Sequence, residues 1–368
     1  VCFSMILLDT FKVFTLLFGA CVGSFLNVCI YRIPQPGMTV ASPKGSFCPR
    51  CRTAIRWFDN LPVLSWLLLR GKCRSCRAPI SIRYPLVELF TAITFLVIWW
   101  KFGPESEEQV QSAAIWGTLI FWWATFAVMI VISMIDIDYR IIPDELSVTG
   151  GALVLLVIPF LHDVPHDLSG VAWLTQRLSS LEGSIASGSA LAIQIGLALL
   201  LGAAGMAGMR RFNRDYEGKV RSWWGTRWAG AVCASLGFGI AGWLASPGWL
   251  ESSEGSSLIA SLLGAAVGSG TIYGIGRLGT WVFRKEAMGF GDVKLMGLLG
   301  AILGAKFVLL SVFLASFLGS VIGIGIRIIT RNTTIPFGPF LCGGAAILIL
   351  ADERVDTVIR WYLGLFGQ

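Results

Sequence analysis

Two aspartates stand where long apolar segments meet water, and they are the residues best placed to do chemistry. Asp292 follows Gly289 and Gly291 at the edge of one apolar segment, and Asp136 ends another segment far upstream. A carboxylate at the mouth of a membrane segment is costly, so it indicates a functional role. Two acids that lie close together share a proton, which lets one act as base and the other as acid. The pattern therefore favours a paired-carboxylate hydrolase.

A structural interpretation of these acids stays open beside the catalytic one. Asp136 and Asp292 could instead cap helices, or pair with Arg140 and Lys294 in the same stretches. Capping and pairing are common roles for an acid at a helix end. The two interpretations differ in whether the carboxylates are needed for a reaction.

Few other side chains compete for a catalytic role. Asp138 can face water, and Asp144 follows Pro143 at a predicted helix start, where acids are favoured by capping. The only histidines, His162 and His166, lie in a predicted external loop, away from the membrane acids. A serine or cysteine protease needs a histidine beside its nucleophile, and the HExxH zinc motif is absent. The sequence therefore disfavours both classes of protease.

Four cysteines are spaced like zinc ligands. Cys48 and Cys51 form one CxxC pair, Cys73 and Cys76 form a second, and 21 residues separate the pairs. Four thiolates in two knuckles suit a tetrahedral structural zinc site. Disulfides are the alternative, but the predicted location is the reducing cytoplasm. The remaining cysteines are single and are predicted to pack in or near spans: Cys2, Cys21, Cys29, Cys233 and Cys342.

The composition predicts an all-α, polytopic membrane protein of about eight to ten transmembrane helices with a small cytoplasmic zinc-binding module. Of 368 residues, 55% are hydrophobic and 14% are charged, and the mean hydropathy is +0.72. A soluble domain needs more polar surface than this. The net charge of +7 comes largely from a few basic loops, so it requires no nucleic-acid partner. The first apolar segment is expected to be retained, because it is too long for a signal-peptide core.

Charge also predicts the orientation of the spans. The loops 35–83 and 210–227 are strongly basic, and positive loops stay in the cytoplasm. The N-terminus is then outside, and Asp136 and Asp292 both emerge on the cytoplasmic side. The predicted crossings are 5–30, 86–100, 114–135, 146–161, 185–206, 229–244, 258–281, 295–304, 307–326 and 340–350.

The chain is expected to divide into five regions. They are a first transmembrane helix (1–34), a cytoplasmic zinc-ribbon module (35–84), a membrane region with the first catalytic aspartate (85–161), an inserted region with two extra helices (162–257) and a membrane region with the GxGD motif (258–368).

An ordered series of motifs resembles the type IV prepilin peptidases, which are bifunctional leader peptidase/N-methyltransferases of the GxGD class of intramembrane aspartyl proteases. The matches span most of the chain and keep the family's order. They are Gly23–Val28 with Tyr31–Pro34, the four cysteines, Asn60–Trp66 through Arg70–Cys73, Arg83–Glu88, Asp136 with Ile142–Asp144, Gly289–Lys294 and Pro336–Pro339.

The resemblance implies a function and a set of roles. The family cleaves the leader of type IV prepilins and type II secretion pseudopilins at the cytoplasmic face of the bacterial inner membrane, then methylates the new N-terminus using S-adenosylmethionine. It implies Asp136 and Asp292 as the catalytic pair, and the methyltransferase role in the zinc-containing module. Gly71, Lys72 and Glu88 are the residues nominated for the methyl donor. The partners are then leader peptides and the lipid bilayer.

Two other classes of function stay open. A transporter could use Asp136 and Asp292 as a proton relay. Transporters often carry paired repeats with broken helices, and no such pairing is visible in the sequence. A non-catalytic membrane protein of pilus or secretion assembly could hold the same acids for structural reasons.

Overall fold

The computed structural model of the protein describes residues 2–158, 161, 253–285, 288–330 and 335–351, and in these the regular structure is helical. Isolated β-bridges occur only between positions 39 and 79 among them. The all-α prediction is confirmed for this part of the chain. The helices are α1 (Cys2–Arg32), α2 (Leu64–Leu68), α3 (Arg83–Phe102), α4 (Glu107–Val110), α5 (Ala113–Tyr139), α6 (Asp144–Val157), α7 (Ser253–Phe283), α8 (Phe290–Thr330) and α9 (Gly338–Ala351).

Five of these helices are long and apolar enough to cross a membrane. They contain the spans Leu8–Arg32, Arg83–Phe102, Ala113–Tyr139, Ser257–Phe283 and Phe290–Gly325. About 20 apolar residues cross the hydrocarbon core, so each segment has the required length. The polytopic membrane architecture is therefore confirmed. The predicted crossings 185–206 and 229–244 lie outside the described residues. Helices α6 and α9, at the predicted crossings 146–161 and 340–350, are shorter than the five spans.

Helix α8 contains two of the predicted crossings in succession. Its 41 residues are interrupted at Gly304, whose φ of 75° and ψ of 174° are not helical. Glycine adopts a positive φ without the steric cost that a Cβ atom imposes. The break that the sequence predicted between 295–304 and 307–326 thus falls on this glycine.

The described chain forms two compact units, the first ending at Arg140. In this first unit α1 packs closely along α3. A Cβ atom on Gly19 would lie 2.9 Å from Ala92 Cα, and one on Gly23 would lie 2.7 Å from Glu88 Cα. Small residues let two helix backbones approach closely in lipid, and these glycines do so here.

The second unit begins at Ile141 and is organised around α8. Helix α7 crosses α8 through glycines, since a Cβ atom on Gly264 would overlap the carbonyl of Gly300 and lie 2.7 Å from Gly304 Cα. Helix α6 also packs on α8, with Leu298 beside Gly150. Together these contacts fix the start of α8, where Asp292 stands. The five-region division of the sequence stays a prediction, and 162–252 lies outside the described residues.

Candidate functional site

The four CxxC cysteines converge on one point in the first unit. Their sulfur atoms all lie within 4.8 Å of one another, and the Sγ atoms of Cys48 and Cys76 are 3.9 Å apart. None of the four is in a disulfide. A tetrahedral zinc ion with Zn–S distances of about 2.3 Å holds its sulfurs about 3.8 Å apart, so the arrangement fits this metal. Cysteine would then fill all four ligand positions, as in structural zinc sites.

The two knuckles are local copies of each other. In each, the first cysteine accepts a backbone hydrogen bond from the residue four positions later, Arg52 for Cys48 (2.8 Å) and Arg77 for Cys73 (3.0 Å). Both arginines adopt a positive φ, 57° and 58°. This shared turn aims each pair of thiols at the same point.

The surroundings of the knuckles lower the pKa of two thiols, whereas for Cys76 a backbone hydrogen bond at Ala78 is outweighed by burial and the other three thiols, which raise the pKa to about 11. Hydrogen bonds from the side chain and backbone of Thr53 lower the pKa of Cys51 to about 6. Backbone hydrogen bonds at Cys76 and Ser75 lower the pKa of Cys73 as well. A thiolate is the ligand form of cysteine, so these contacts prepare the site for a cation.

An ion pair fastens the second knuckle to the 3-10 turn Trp57–Asn60. Arg74 donates from Nε to Asp59 Oδ2 at 2.8 Å and from Nη2 to Asp59 Oδ1 at 2.6 Å. The guanidinium also lies 5.7 Å from the centre of the Phe58 ring. These hydrogen bonds lower the pKa of Asp59 below its usual value. Bidentate pairs of this kind hold a fixed geometry, so the turn and the knuckle act as one body.

A cavity of about 880 Å³ opens beside the cysteine cluster, within the first unit. The knuckles and α2 form one side, and the adjacent ends of α1 and α3 form the other. Its wall includes aromatic rings and buried polar groups, namely Tyr31, Phe47, Trp66, Tyr84, Asn27 and Glu88. Apolar walls with a few oriented polar groups are typical of a small-molecule site.

Glu88 is the buried carboxylate of this cavity. It is 9% exposed, and its Oε2 accepts a hydrogen bond from the backbone N–H of Val63 at 2.7 Å. Its side chain also hydrogen-bonds with Ser24 of α1. Val63 has a φ of 59°, which is rare for a β-branched residue. Glu88 therefore holds the strained residue that precedes α2.

Gly71 and Lys72, the other residues nominated for the methyl donor, occupy a turn behind Trp66 and are not among the residues that line the cavity. Gly71 has a φ of 64°, and a Cβ atom there would lie 3.0 Å from the Trp66 ring. Gly71 and Lys72 therefore support Trp66, which is a residue of the cavity wall. Glu88 alone of the three nominated residues reaches the cavity.

Arg32 is a residue whose role the sequence did not reveal. It is 4% exposed and donates hydrogen bonds to the carbonyls of Val40 (2.9 Å), Pro43 (2.8 Å) and Gly45 (2.7 Å). It thereby folds the loop that follows α1 against the cavity. The sequence does not reveal this role, because the three acceptors are main-chain atoms that no side-chain pattern marks.

Asp136 lies in the last turn of α5, in the first unit, and is 6% exposed. Its carbonyl accepts a hydrogen bond from Arg140 N at 2.9 Å, where the helix ends in a left-handed residue. Two residues later, Asp138 forms an ion pair with Arg83 at the start of α3. The first predicted catalytic acid is thus buried at a helix end, and its neighbour is paired.

Asp292 lies in the first turn of α8, in the second unit, after the Gly289–Gly291 turn. Its N–H donates to the carbonyl of Gly289 at 3.2 Å. A Cβ atom on Gly291 would lie 3.0 Å from Ile142 Cβ, so glycine is needed for this approach. Lys294 Nζ donates to Asp144 Oδ1 at 2.5 Å, which joins the two acidic motifs of this unit.

Two family models match the chain in order. The bacterial peptidase A24 N-terminal domain matches residues 17–102, which hold the cysteine cluster, the cavity and Glu88. The type IV leader peptidase family matches residues 228–324, which hold Asp292. No solved structure matches the chain.

Curated relatives carry the same combination of names. A prepilin leader peptidase/N-methyltransferase of Myxococcus xanthus is 37% identical over 47% of this chain, and the chain spans 49% of that relative's length. Relatives with the same name from Aeromonas hydrophila and Pseudomonas aeruginosa are 28% and 27% identical over 95% and 97% of the chain, and 93% and 95% of their own lengths. The resemblance predicted from the motifs is confirmed: both family models match in the expected order, and the chain is similar over nearly its whole length to proteins named prepilin leader peptidase/N-methyltransferase.

Proposed function

We propose that this protein is a membrane endopeptidase that removes the leader of prepilins or pseudopilins and then methylates the new N-terminus. The observation that carries the proposal is the order of the two family matches, with the cavity module in the first and Asp292 in the second. The names of the full-length relatives combine the same two activities.

The peptidase reaction is assigned to Asp136 and Asp292 acting as a pair. The unprotonated carboxylate takes a proton from water, which attacks the scissile carbonyl carbon. The protonated partner first polarises the carbonyl oxygen, and the departing amine then receives a proton as the C–N bond breaks. The burial of Asp136 at the end of a membrane span supports this role, because a carboxylate in such a place is costly and marks a functional site.

The methyl transfer is assigned to the cavity of the first unit. S-adenosylmethionine supplies a methyl group on a positively charged sulfonium. A buried carboxylate and several aromatic faces fit such a cation, and about 880 Å³ is ample for a nucleoside derivative. Glu88 and Tyr84 would hold the donor, while Gly71 supports the wall through Trp66. Lys72, an exposed lysine beside Gly71, stays a weaker nominee for the same ligand.

The setting follows from the same assignments. The zinc ion is structural and holds the knuckles that form one wall of the cavity. The protein lies in the bacterial inner membrane with both reactions at the cytoplasmic face, where the leader of a prepilin is presented. Residues 162–257 are an insertion between the two catalytic motifs.

Purified full-length protein, given a model prepilin and labelled methyl donor, tests the proposal. Asp292→Asn is expected to abolish leader cleavage while zinc content and membrane insertion are kept. Asp9→Asn, at an exposed position of α1, is the matched control and is expected to cleave normally. Cleavage that persists in Asp292→Asn would refute the peptidase assignment. Loss of ion transport with cleavage intact would favour the transporter instead.

A further inference from the structure

Helix α2 turns a row of leucines away from the protein. Leu64, Leu67 and Leu68 are 51%, 58% and 71% exposed, and they share one face because they are three and four residues apart. The opposite face, with Ser65 and Trp66, lines the cavity. A contiguous exposed apolar face of this kind marks a surface that something else covers.

The depth of α2 relative to the membrane spans identifies what covers it. The N–H of Val63, just before α2, is 2.7 Å from the carboxylate of Glu88. Glu88 stands five residues inside α3, which is about 7.5 Å from its first residue at 1.5 Å per residue. Helix α3 is itself a membrane span that begins at Arg83. The start of α2 is therefore held against the first turns of this membrane span.

The surface of α3 at the same depth is also apolar and exposed. Leu86, Leu89 and Phe90 are exposed there, as expected for side chains that face acyl chains. Amphipathic helices that lie in a bilayer interface sink their apolar face about 5–10 Å into the boundary between headgroups and acyl chains. Because α2 is held at this end of α3, its exposed leucines fit the same interfacial depth.

The positive charge of the cysteine-containing module, residues 35–83, favours binding to an anionic membrane surface. Positions 35–83 hold nine lysine or arginine residues and one acid, Asp59, which is paired with Arg74. Arg70 and Lys72 follow α2 immediately, and both are exposed, as is Arg77. Basic side chains beside an apolar face bind anionic lipid headgroups, each one adding to the attraction.

We propose that α2 is an interfacial helix of the zinc module. Leu64, Leu67 and Leu68 insert among the acyl chains, while Arg70, Lys72 and Arg77 bind anionic phospholipid headgroups. Lipid thereby covers the outer face of α2, and the inner face of α2 lines the cavity. This assignment stands on the depth and charge of α2, independently of the reaction in the cavity.

Depth-dependent quenching tests the proposal on the full-length, zinc-loaded protein. A genetically encoded fluorescent amino acid replaces Leu68, and the protein is placed in nanodiscs of phosphatidylglycerol and phosphatidylethanolamine. The matched control carries the same probe in place of Lys44, an exposed residue of the same module. Lipids brominated near the headgroup end of the acyl chain are expected to quench the probe at 68 several-fold more than the probe at 44. Aqueous iodide is expected to do the reverse.

Other outcomes overturn the proposal. If iodide quenches the probe at 68 and brominated lipid does not, α2 lies in water. If a prepilin leader peptide protects that probe from iodide without any quenching by lipid, a protein partner covers the leucines. Zinc content reports whether each variant is folded, and the probe is moved to Leu67 if the first variant loses its zinc. Equal quenching of both probes by brominated lipid also contradicts a specific role for the leucine face.

Discussion

Lys294 donates a hydrogen bond from Nζ to Oδ1 of Asp144 at 2.5 Å, and the two residues are 150 positions apart in the chain. The pair ties the first turn of α6 to the first turn of α8. Asp292 precedes Lys294 by two residues, so the same turn that is held by the ion pair carries the proposed catalytic acid. An acid in the first turn of α6 is also stabilised by the helix dipole. The pair is thus placed to position Asp292.

Breaking this ion pair should slow leader cleavage. We expect Asp144→Asn and Lys294→Met each to reduce the rate about tenfold, since each change releases the turn that carries Asp292. The coupling between them in a double-mutant cycle is expected to be about 1 kcal/mol, as for a partly exposed pair. Lys285→Met, at an exposed lysine before the GxGD turn, serves as the control. Strictly additive effects on the cleavage rate would show that the pair has no positioning role.

The crossing of α7 and α8 should not tolerate a methyl group at Gly264. A Cβ atom there would overlap the carbonyl of Gly300, so we expect Gly264→Ala to destabilise the protein by about 1–3 kcal/mol, as overpacking does. The measurement is the thermal unfolding midpoint in a mild detergent. Gly270→Ala on the same helix has open space around the added atom and should leave the midpoint unchanged or raise it. Equal midpoints for the two variants would contradict the close crossing.

Removing one ligand should release the metal. We expect Cys73→Ser to lower the zinc content of the purified protein from one ion to nearly none, and to expose the module to proteolysis. Cys21→Ser, an exposed cysteine of α1, should keep full zinc content. The metal is counted by atomic absorption. Unchanged zinc in Cys73→Ser would rule out the four-cysteine site.

Glu88→Gln should separate the two proposed activities. The amide keeps an oxygen that can accept the hydrogen bond from Val63, but it removes the negative charge from the cavity. We expect methyl transfer to fall at least about tenfold, because the cationic donor loses its counter-charge. Leader cleavage should stay near its normal rate.

Methyl transfer is measured with a labelled methyl donor, and cleavage is measured in the same sample by the smaller size of the product on a gel. Glu105→Gln, at an exposed position between α3 and α4, is the matched control. If both activities fall together, Glu88 acts through the stability of the module rather than through the donor.

The cysteine cluster and most spans were predictable from the sequence, because each is marked by residues that lie close together in the chain. The paired CxxC spacing predicted the cluster at Cys48, Cys51, Cys73 and Cys76, and the four sulfurs do converge. Long apolar runs predicted the five spans for a similar reason, since burial in lipid acts on every residue of a segment.

The contacts between distant segments were not predictable. The pairing of Asp144 with Lys294, and of Asp138 with Arg83, joins residues 150 and 55 positions apart, and one sequence does not reveal such partners. The sequence suggested instead that Asp138 faces water. The cavity escaped prediction for the same reason, because its wall combines α1, the knuckles, α2 and α3.

Helices α6 and α7 both pack on α8 and also touch each other. The two helices that flank the joining segment are therefore held together by contacts of their own. Closing a longer connection costs only about 0.6 kcal/mol for each doubling of its length. This arrangement leaves evolution free to lengthen, shorten or replace the joining segment, so related enzymes can acquire new modules there while the scaffold beneath stays the same.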